Sequence, residues 1–267
     1  MLLAKNIETL EKSLAKWDSL GLSVGFVPTM GALHQGHLSL IERALLENDK
    51  VVCSIFVNPT QFNDLKDLEN YPSQIEKDLQ LLDKKRCDLA FTPTINDMYP
   101  QGGKVIKFEL NGLDKLMEGA HRVGHFDGVC TIVYKFFELI KPKNAYFGQK
   151  DFQQLAIIRK VNKNQNHNIN IVSCPTIREE NGLAMSSRNA LLDDKDRIIA
   201  SEIYRILLEA KSQFLKSSVE EVKIFVETEL NAISAFTTDY VEIAHAKTLK
   251  EFSDLEKNEP AILCVAV

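Results

Sequence analysis

Two histidines separated by a short glycine-containing spacer are the residues of this sequence best suited to chemistry on a phosphate. They are His34 and His37, with Gly36 between them, in the stretch 28–40. Apolar residues before this stretch predict a buried strand, and the leucine spacing after it predicts a helix that continues to Asn48. The turn between strand and helix offers backbone N–H groups and the positive end of the helix dipole, which favour phosphate. Both rings are expected to point to the same place.

Two other interpretations of the histidine pair are less favoured. A zinc site of the zincin type needs His-Glu-x-x-His, and no third ligand follows at a plausible spacing. The pair could also be two surface histidines on a loop, but its position between a strand and a helix favours a nucleotide phosphate site. Gly36 would let a bulky anion approach the backbone between the rings.

The stretch 148–151 repeats this arrangement of a strand end, a glycine and a helix start. Lys150 can bridge phosphate oxygens, and Asp151 can accept hydrogen bonds from ribose hydroxyls or help to hold a metal. Gln154, one turn beyond Lys150, is predicted to face the same cleft. The alternative interpretation of Lys150 and Asp151 is a solvated helix start.

A serine-rich stretch and an amide-rich stretch complete the candidates. Met185-Ser186-Ser187-Arg188 suits a mobile loop that closes over a triphosphate and stabilises developing charge. It could equally be a helix cap for the segment near Asp194. The stretch 58–62 places the neutral amides of Asn58 and Gln61 at a strand end, where they suit a substrate with hydroxyl or carboxylate groups.

The elements around these residues alternate between strand and helix over the first two thirds of the chain. The pattern predicts strands at 22–27, 50–57, 88–92, 104–110, 145–147 and 169–174, and helices at 6–17, 38–48, 73–85 (with Ser73 as N-cap), 126–140 and 152–161. This alternation predicts an α/β fold, a Rossmann-like parallel sheet with helices on both faces. Ligands bind at the carboxyl ends of such strands, where the candidate residues lie.

The character of the chain changes near Pro175, where we place a domain boundary. Residues 1–175 form the predicted nucleotide-binding catalytic domain, and residues 176–267 form a smaller α+β domain. The second part contains a type I′ hairpin signal at Asn181-Gly182, helices at 194–215 and 219–235, and strands at 239–244 and 261–267. It is too short for an independent enzyme, which favours a lid over the first domain.

Composition excludes several protein classes. The 267 residues are 45% hydrophobic and 26% charged, with a net charge of −5, which is unlike the basic surface of a nucleic-acid-binding protein. The five cysteines show no Cys-x-x-Cys spacing and are expected to be small buried hydrophobes: Cys53, Cys87, Cys130, Cys174 and Cys264. The first residues hold no apolar signal core, and no apolar run is long enough to span a membrane. We therefore expect a cytoplasmic protein without membrane or nucleic-acid partners.

Five motifs occur together in one order between Pro28 and Asn189. They are Pro-Thr-Met-Gly-Ala-Leu-His-Gln-Gly-His, Phe-Val-Asn-Pro-Thr-Gln-Phe, Glu-Gly-Ala-His-Arg-Val-Gly-His-Phe-Asp-Gly-Val, Phe-Gly-Gln-Lys-Asp-Phe-Gln-Gln and Met-Ser-Ser-Arg-Asn. The set closely resembles the pantoate–β-alanine ligase family, and the stretch Asp239–Glu242 extends the likeness. The His-x-Gly-His motif alone indicates only the broader nucleotidyltransferase superfamily.

The resemblance implies a reaction in two steps. The carboxylate of (R)-pantoate attacks the α-phosphate of Mg-ATP, giving enzyme-bound pantoyl adenylate and pyrophosphate. The amine of β-alanine then attacks the acyl carbon, and AMP leaves as pantothenate forms, a precursor of coenzyme A. ATP with Mg²⁺ is a substrate, no tightly bound organic cofactor is expected, and the family implies a homodimer through the first domain.

The resemblance also assigns residues to this reaction. The residues implied in ATP binding are Met30, Gly31, Ala32, Leu33, His34, Gln35, Gly36, His37, Gly148, Gln149, Lys150, Asp151, Ile177, Met185, Ser186, Ser187 and Arg188. The catalytic set is His34, His37, Lys150, Ser186, Ser187 and Arg188. Gln61 is implied in binding pantoate and β-alanine, and Gln154 in binding pantoate.

Two assignments leave alternatives. The family's conventional proton donor falls on His37, but we favour charge stabilisation because displacement of pyrophosphate places the developing charge on oxygen. No side chain is assigned as a direct metal ligand. Asp78 could support magnesium indirectly, although a solvated helix face is the favoured interpretation.

The chain departs from the family pattern at three places. Ser73 replaces a usual arginine, Val123 replaces a usual proline, and the chain ends at Val267 where relatives typically continue with a short basic tail. The last departure leaves the pairing of the final strand open. The alternative functions are a nucleotidyltransferase acting on a phosphorylated small molecule and a non-catalytic nucleotide sensor. A tRNA-linked synthetase is disfavoured by the acidic charge balance.

Overall fold

The computed structural model describes residues 1–267 and contains a central sheet of six strands. The strands are β1 (Leu2–Ala4), β2 (Val24–Thr29), β3 (Lys50–Ile55), β4 (Leu89–Phe91), β5 (Asn144–Gly148) and β6 (Asn170–Cys174). Their order is β1-β4-β3-β2-β5-β6, and every neighbouring pair is parallel. The predicted parallel α/β sheet is confirmed. The order places β2 between β3 and β5, so the loops after these three strands leave the sheet side by side.

Helices cover both faces of the sheet. The helices of this part of the chain are α1 (Ile7–Asp18), α2 (Gln35–Glu47), α3 (Leu65–Glu69), α4 (Ile75–Lys84), α5 (Ile95–Met98), α6 (Met117–His121), α7 (His125–Ile140) and α8 (Phe152–Asn164). Side chains of α1, α7 and α8 pack in the same core as Phe26, whereas those of α2 and α4 pack in a second core with Val27. Adjacent strand residues point to opposite faces, so β2 contributes to both cores.

The last third of the chain adds two helices and a separate two-stranded sheet. These elements are α9 (Asp194–Gln213), α10 (Val219–Asn231), β7 (Tyr240–His245) and β8 (Ala261–Ala266). The two strands are antiparallel and pair along their whole length, from Tyr240 opposite Ala266 to His245 opposite Ala261. The final strand, whose pairing the sequence did not decide, is therefore fully paired with β7. None of the helices is both long and apolar enough to cross a bilayer.

One predicted strand is wrong, and one strand was missed. Residues 104–110 join no sheet; instead, the N–H of Ile106 donates to Thr131 Oγ1 of α7 at 2.8 Å. Alternating apolar residues indicate an extended, half-buried segment, but they do not say whether it packs on a strand or on a helix. The missed strand β1 is only three residues long and pairs with β4.

Two local predictions also need correction. The turn before Gly182 is not type I′, because Gly182 has a φ of +92° but Asn181 is not in the left-handed region that type I′ requires. The N–H of Gly182 donates to Glu179 O at 2.9 Å, which closes a four-residue turn that ends in the left-handed glycine. Ser73 is not an N-cap; Gln74 precedes α4, and its side chain makes no capping bond.

Candidate active site

The loops at the carboxyl ends of three adjacent strands carry most of the predicted site residues. The loop after β2 contains His34 and leads into α2. The loop after β3 contains Gln61 in a 3₁₀ turn (Pro59–Gln61), and the loop after β5 contains Lys150 in a 3₁₀ turn (Gln149–Asp151). The parallel sheet therefore brings together stretches that are far apart in the sequence. This is the edge at which open α/β sheets bind ligands.

The two imidazoles stack at the start of α2. Their ring centroids lie 4.0 Å apart with an interplanar angle of 35°. His34 caps the helix, since its Nδ1 accepts from the N–H of Gly36 at 3.1 Å, and Nδ1 of His37 accepts from the N–H of His34 at 3.3 Å. A ring nitrogen that accepts a hydrogen bond carries no proton. Both rings are therefore held as neutral tautomers that have their proton on Nε2.

Burial and local charge keep these rings neutral. Burial, the neighbouring His34 and the ammonium of Lys150 lower the pKa of His37 to about 3. Burial and Lys150 also lower the pKa of His34, against the opposing charge of Asp151. In the free enzyme at neutral pH, each ring can donate a hydrogen bond from Nε2 but carries no positive charge.

Most backbone amides of the glycine turn already have partners, which corrects the expectation that the turn offers them freely. The N–H groups of Ala32 and Leu33 donate to the two carboxylate oxygens of Asp78 at 2.8 and 2.7 Å. The N–H of Gly31 donates to Thr29 Oγ1 at 3.3 Å. The two imidazoles accept from further amides at the helix start, so few N–H groups remain there for a ligand.

Asp78 does not lie on a solvated helix face, and that interpretation is wrong. The residue is only 1% exposed, and both carboxylate oxygens accept from the glycine turn, which favours a structural role for Asp78 over support of magnesium. Burial raises the pKa of this carboxyl, and the two backbone donors oppose the shift. The sequence carried a signal for this position, because Asp78 precedes the buried Leu82 by four residues on the same face of α4.

Two glycines of the motifs differ in what lies beside them, which is a side chain at Gly36 and open space at Gly148. A Cβ on Gly36 would lie 2.9 Å from the ring of His34, so this glycine makes room for the imidazole. The expectation that it makes room for an anion is therefore corrected. A Cβ on Gly148 would meet only the backbone nitrogen of Lys150, at 4.0 Å. The space beside Gly148 is therefore open at the end of β5, next to Lys150 and Asp151.

The serine-rich stretch is attached to the glycine turn and to α3. Ser187 Oγ donates toward the carbonyl oxygens of Ala32, at 3.1 Å, and Gly31, at 3.4 Å. The guanidinium of Arg188 binds both carboxylate oxygens of Asp67, at 2.9 and 3.1 Å. Ser186 caps the short 3₁₀ helix Ser187–Leu191, whereas α9 begins after its own cap, Asp193. The alternative that this stretch caps the helix near Asp194 is therefore wrong.

The base of this stretch lines a cleft. The N–H of Met185 donates to Ile177 O at 3.0 Å, which ties the stretch to the chain after β6. A cleft of about 310 Å³ lies between the glycine turn, α4 and the serine-rich stretch. It is lined by Ala32, Leu33, His34, Gln74, Lys77, Glu179, Met185, Ser186, Ser187, Asn189, Ala190 and Arg197. Several predicted ATP-binding residues therefore share one concave surface.

A buried hydrogen-bond network orients Gln61. Asn58 Nδ2 donates to Gln61 Oε1 and to the carbonyl oxygen of Gly128, both at 3.1 Å, and Tyr99 OH donates to Asn58 Oδ1 at 2.8 Å. Nε2 of Gln61 points toward Met30 Sδ, 3.2 Å away. Tyr99 and Gly128 were not predicted from the sequence, because no local spacing connects them to residue 61.

The second predicted pantoate ligand lies on α8. Gln154 is half-buried, and its side chain makes no hydrogen bond within the chain. The adjacent Gln153 is buried and donates to the carbonyl oxygens of Leu113 and Leu116, both at 2.7 Å. Gln153 therefore serves the structure, while the amide of Gln154 is available to a ligand.

Comparison with known proteins identifies the family. The model of the family described as pantoate-beta-alanine ligase matches residues 2–267. The chain belongs to this family. A pantothenate synthetase of Bacteroides fragilis is 43% identical over 261 residues, covering 98% of this chain and 92% of the relative. One of Christiangramia forsetii is 45% identical over 255 residues, covering 94% of this chain and 89% of the relative.

Solved structures of this ligase family share the fold. The crystal structure of pantothenate synthetase from Thermus thermophilus has a TM-score of 0.90 and 39% identity, covering 100% of this chain and 99% of that chain. The ligase from Francisella tularensis, complexed with beta-gamma ATP and beta-alanine, has a TM-score of 0.78 and 40% identity, covering 91% of this chain and 89% of that chain. The present chain is thus a pantoate–β-alanine ligase, and the nucleotidyltransferase alternative is not favoured.

Proposed function

We propose that the loops at the carboxyl ends of β2, β3 and β5, together with the serine-rich stretch, carry out both steps of the ligase reaction. In the first step, a carboxylate oxygen of (R)-pantoate forms a bond to the α-phosphorus of ATP as the bond to pyrophosphate breaks. In the second step, the β-alanine nitrogen bonds to the acyl carbon, AMP leaves with the bridging oxygen, and the nitrogen loses a proton. The observation that carries this proposal is the stacked pair His34 and His37, whose Nδ1 atoms are occupied and whose Nε2–H groups are free.

The imidazoles act as hydrogen-bond donors to the phosphates. The lowered pKa values argue against an imidazolium that gives up its proton in the free enzyme. A neutral Nε2–H can still stabilise negative charge that develops on a phosphate oxygen. We therefore assign charge stabilisation, not proton transfer, to His37.

Cations on two loops complete the neutralisation of the triphosphate. Lys150 lies beside the open space at Gly148, and its ammonium is 3.6 Å from the carboxylate of Asp151. Arg188 is held by Asp67 until ATP offers a partner of higher charge. Ser186 and Ser187 place Arg188 at the turn, and closing of this loop excludes water from the adenylate.

Magnesium enters with ATP as part of the substrate. We assign Asp78 no part in holding it, since this residue is 1% exposed and both of its oxygens already accept from the amides of Ala32 and Leu33. Asp151 is an exposed carboxylate near the predicted phosphate site, and its oxygens fit a water-mediated contact to a hydrated cation.

The amides of Gln61 and Gln154 bind pantoate. The network through Asn58 fixes Gln61 with its Nε2 toward Met30 of the glycine turn, and an N–H donor at this place suits the hydroxyl and carboxylate groups of pantoate. Gln61 also borders the β-alanine position in this proposal. Neutral amides suit this role because a cation here would compete with the triphosphate site for the carboxylate.

We further propose that residues 176–267 form a lid over residues 1–175, that the enzyme is a homodimer through residues 1–175, and that it works in the cytoplasm. Packing of Ala244 and Leu249 on Met117 supports the lid arrangement, and five free cysteines fit a reducing compartment. Light scattering on the purified chain tests the dimer, and a monomer at micromolar concentration would contradict it.

A coupled assay for AMP formation tests the proposed function. AMP should form only when ATP, pantoate and β-alanine are all present, whereas pyrophosphate exchange should need ATP and pantoate alone. Exchange without pantoate, or AMP formation with a phosphorylated acceptor in its place, would contradict the proposal.

A further inference from the structure

We propose that Asp78 is a positioning residue for ATP activation, which sets the glycine turn and, through the carbonyls of that turn, docks the serine-rich loop. This inference rests on the proposed function, because it concerns the same triphosphate site. Asp78 itself touches no substrate in this proposal. It acts through the two peptide groups 31–32 and 32–33.

On the N–H side of the glycine turn, the carboxylate of Asp78 holds the backbone. Both oxygens of Asp78 accept from the turn, and a Cβ on Gly31 would lie 3.0 Å from Oδ2, so the carboxylate packs directly against the backbone. Gly31 has a φ of +88°, and Ala32 has a φ of +48° although it is not glycine. A non-glycine residue persists in the left-handed region only where its surroundings hold it there, and here the carboxylate does so.

On the carbonyl side of the same turn, the hydroxyl of Ser187 holds the backbone. A trans peptide group is planar and points its C=O and N–H in opposite directions. The peptide group 32–33 donates its N–H to Asp78, and its carbonyl accepts from Ser187 Oγ at 3.1 Å. Group 31–32 also donates its N–H to Asp78, and its carbonyl shares the same hydroxyl proton at 3.4 Å. The two peptide groups therefore lie between Asp78 of α4, which binds their N–H ends, and Ser187 of the loop that carries Arg188, which binds their carbonyl ends.

The electrostatic consequence favours docking of the loop. A carboxylate at the N–H end of a peptide group polarises it, which makes the carbonyl at the other end a better acceptor. Ser187 is buried at these carbonyls, while Arg188 beside it remains partly exposed. Asp78 thus sets where Arg188 stands relative to the two imidazoles without occupying the phosphate site.

The test compares Asp78→Asn with Glu76→Gln. The first change leaves one acceptor oxygen and turns an NH₂ group toward a backbone N–H, whereas the second removes one exposed carboxylate from the same helix. We expect Asp78→Asn to lower kcat for pantoate-dependent pyrophosphate exchange by about 10²-fold, as a small misplacement of reacting groups does. The KM for pantoate should not change. Trypsin should cleave after Arg188 faster than in the wild type, and Glu76→Gln should match the wild type in each measurement.

A double variant distinguishes positioning from a general structural effect. If Asp78 acts through Ser187, Asp78→Asn combined with Ser187→Ala should lose no more kcat than the more damaged single variant. Additive losses, or a wild-type kcat and cleavage rate in Asp78→Asn, would overturn the inference. Should Asp78→Asn not fold, Ser187→Ala alone carries the test, and wild-type cleavage after Arg188 in that variant would overturn it. Loss of exchange in His37→Ala alongside a fully active Asp78→Asn would refute only this inference, whereas full activity in both would refute the proposed function.

Discussion

At the scale of single residues, the tautomer of the two histidines follows from the backbone around them. Each Nδ1 accepts from a main-chain N–H that cannot act as anything but a donor. The chemistry open to each ring is then donation from Nε2. A sequence pattern cannot supply this conclusion, because it depends on the rotamers that the helix start imposes.

Substitution of His37 tests donation against proton transfer. His37→Ala should lower the rate of pantoate-dependent pyrophosphate exchange by about 10² to 10³, as removal of one oxyanion donor does. His37→Gln keeps an N–H donor near the position of Nε2 and should retain more activity than alanine. Circular dichroism should show the same fold for both variants. Unchanged exchange in His37→Ala would remove the central assignment, and equal losses in both variants would favour proton transfer.

The lowered pKa of His37 predicts a pH dependence of stability. The unfolded chain protonates this ring at its ordinary pKa near 6.5, whereas the folded chain does so only near 3. The part of the free energy of unfolding that depends on a neutral His37 is therefore fully present above about pH 6.5. It is lost as the pH falls toward 3, because the unfolded chain then binds a proton that the folded chain does not. The free energy of unfolding, measured with urea, should fall less between about pH 7.5 and pH 5 in His37→Gln than in the wild type. An equal fall in both proteins would contradict the lowered pKa of His37.

Gln61 should affect one substrate selectively. Gln61→Ala removes a hydrogen bond to a charged substrate, worth about 1.5–3 kcal/mol, so the KM for pantoate should rise roughly 10- to 10²-fold. The KM for ATP should stay close to that of the wild type. Gln80→Ala, at an exposed position of α4, is the matched control. A defect confined to ATP would contradict the pocket assignment.

At the scale of elements, the close packing of helix α7 on a 3₁₀ turn fixes the position of Gln61. Helix α7 packs so tightly on the turn Pro59–Gln61 that a Cβ on Gly128 would lie 2.3 Å from Thr60 O. The side chain of Asn58 crosses the same contact to the carbonyl oxygen of Gly128, 70 positions further along the chain. The turn and the helix are therefore positioned as one unit despite their separation in the sequence.

Gly128→Ala should push this turn away from α7. The added methyl group must displace backbone, not a flexible side chain, so we expect a lower melting temperature and a raised KM for pantoate. The KM for ATP is the internal comparison and should rise less, because the displaced turn meets the ATP site through the contact of Gln61 Nε2 with Met30 Sδ. A variant with wild-type KM for pantoate would show that the turn does not depend on this contact.

At the scale of the whole molecule, the two-stranded sheet joins the two parts of the chain. One face of β7 packs Val241 and Ile243 against the helices α9 and α10, and the other packs Ala244 near Met117 of the first part. Leu249, in the turn after β7, completes this second cluster and is 2% exposed. The cluster is small, so single residues in it carry much of the attachment.

Leu249→Ala should loosen the last third of the chain. Truncation of a buried leucine costs about 2–5 kcal/mol, and this cost should appear as a lower urea midpoint. Leu255→Ala, at a fully solvated leucine, is the control and should unfold as the wild type does. Equal midpoints for the two variants would show that the cluster contributes nothing to stability.

The sequence by itself determined the parallel α/β fold, the elements that carry the site and the family, because hydrophobic periodicity and contiguous motifs are local properties of the chain. It also predicted that His34 and His37 point to the same place, because they lie three residues apart between a strand and a helix. Only the tertiary structure decided what Asp78, Gly128 and Ser187 do, because their partners lie between 45 and 156 residues away. Contacts across such separations arise when strands and helices pack, and no local pattern records them.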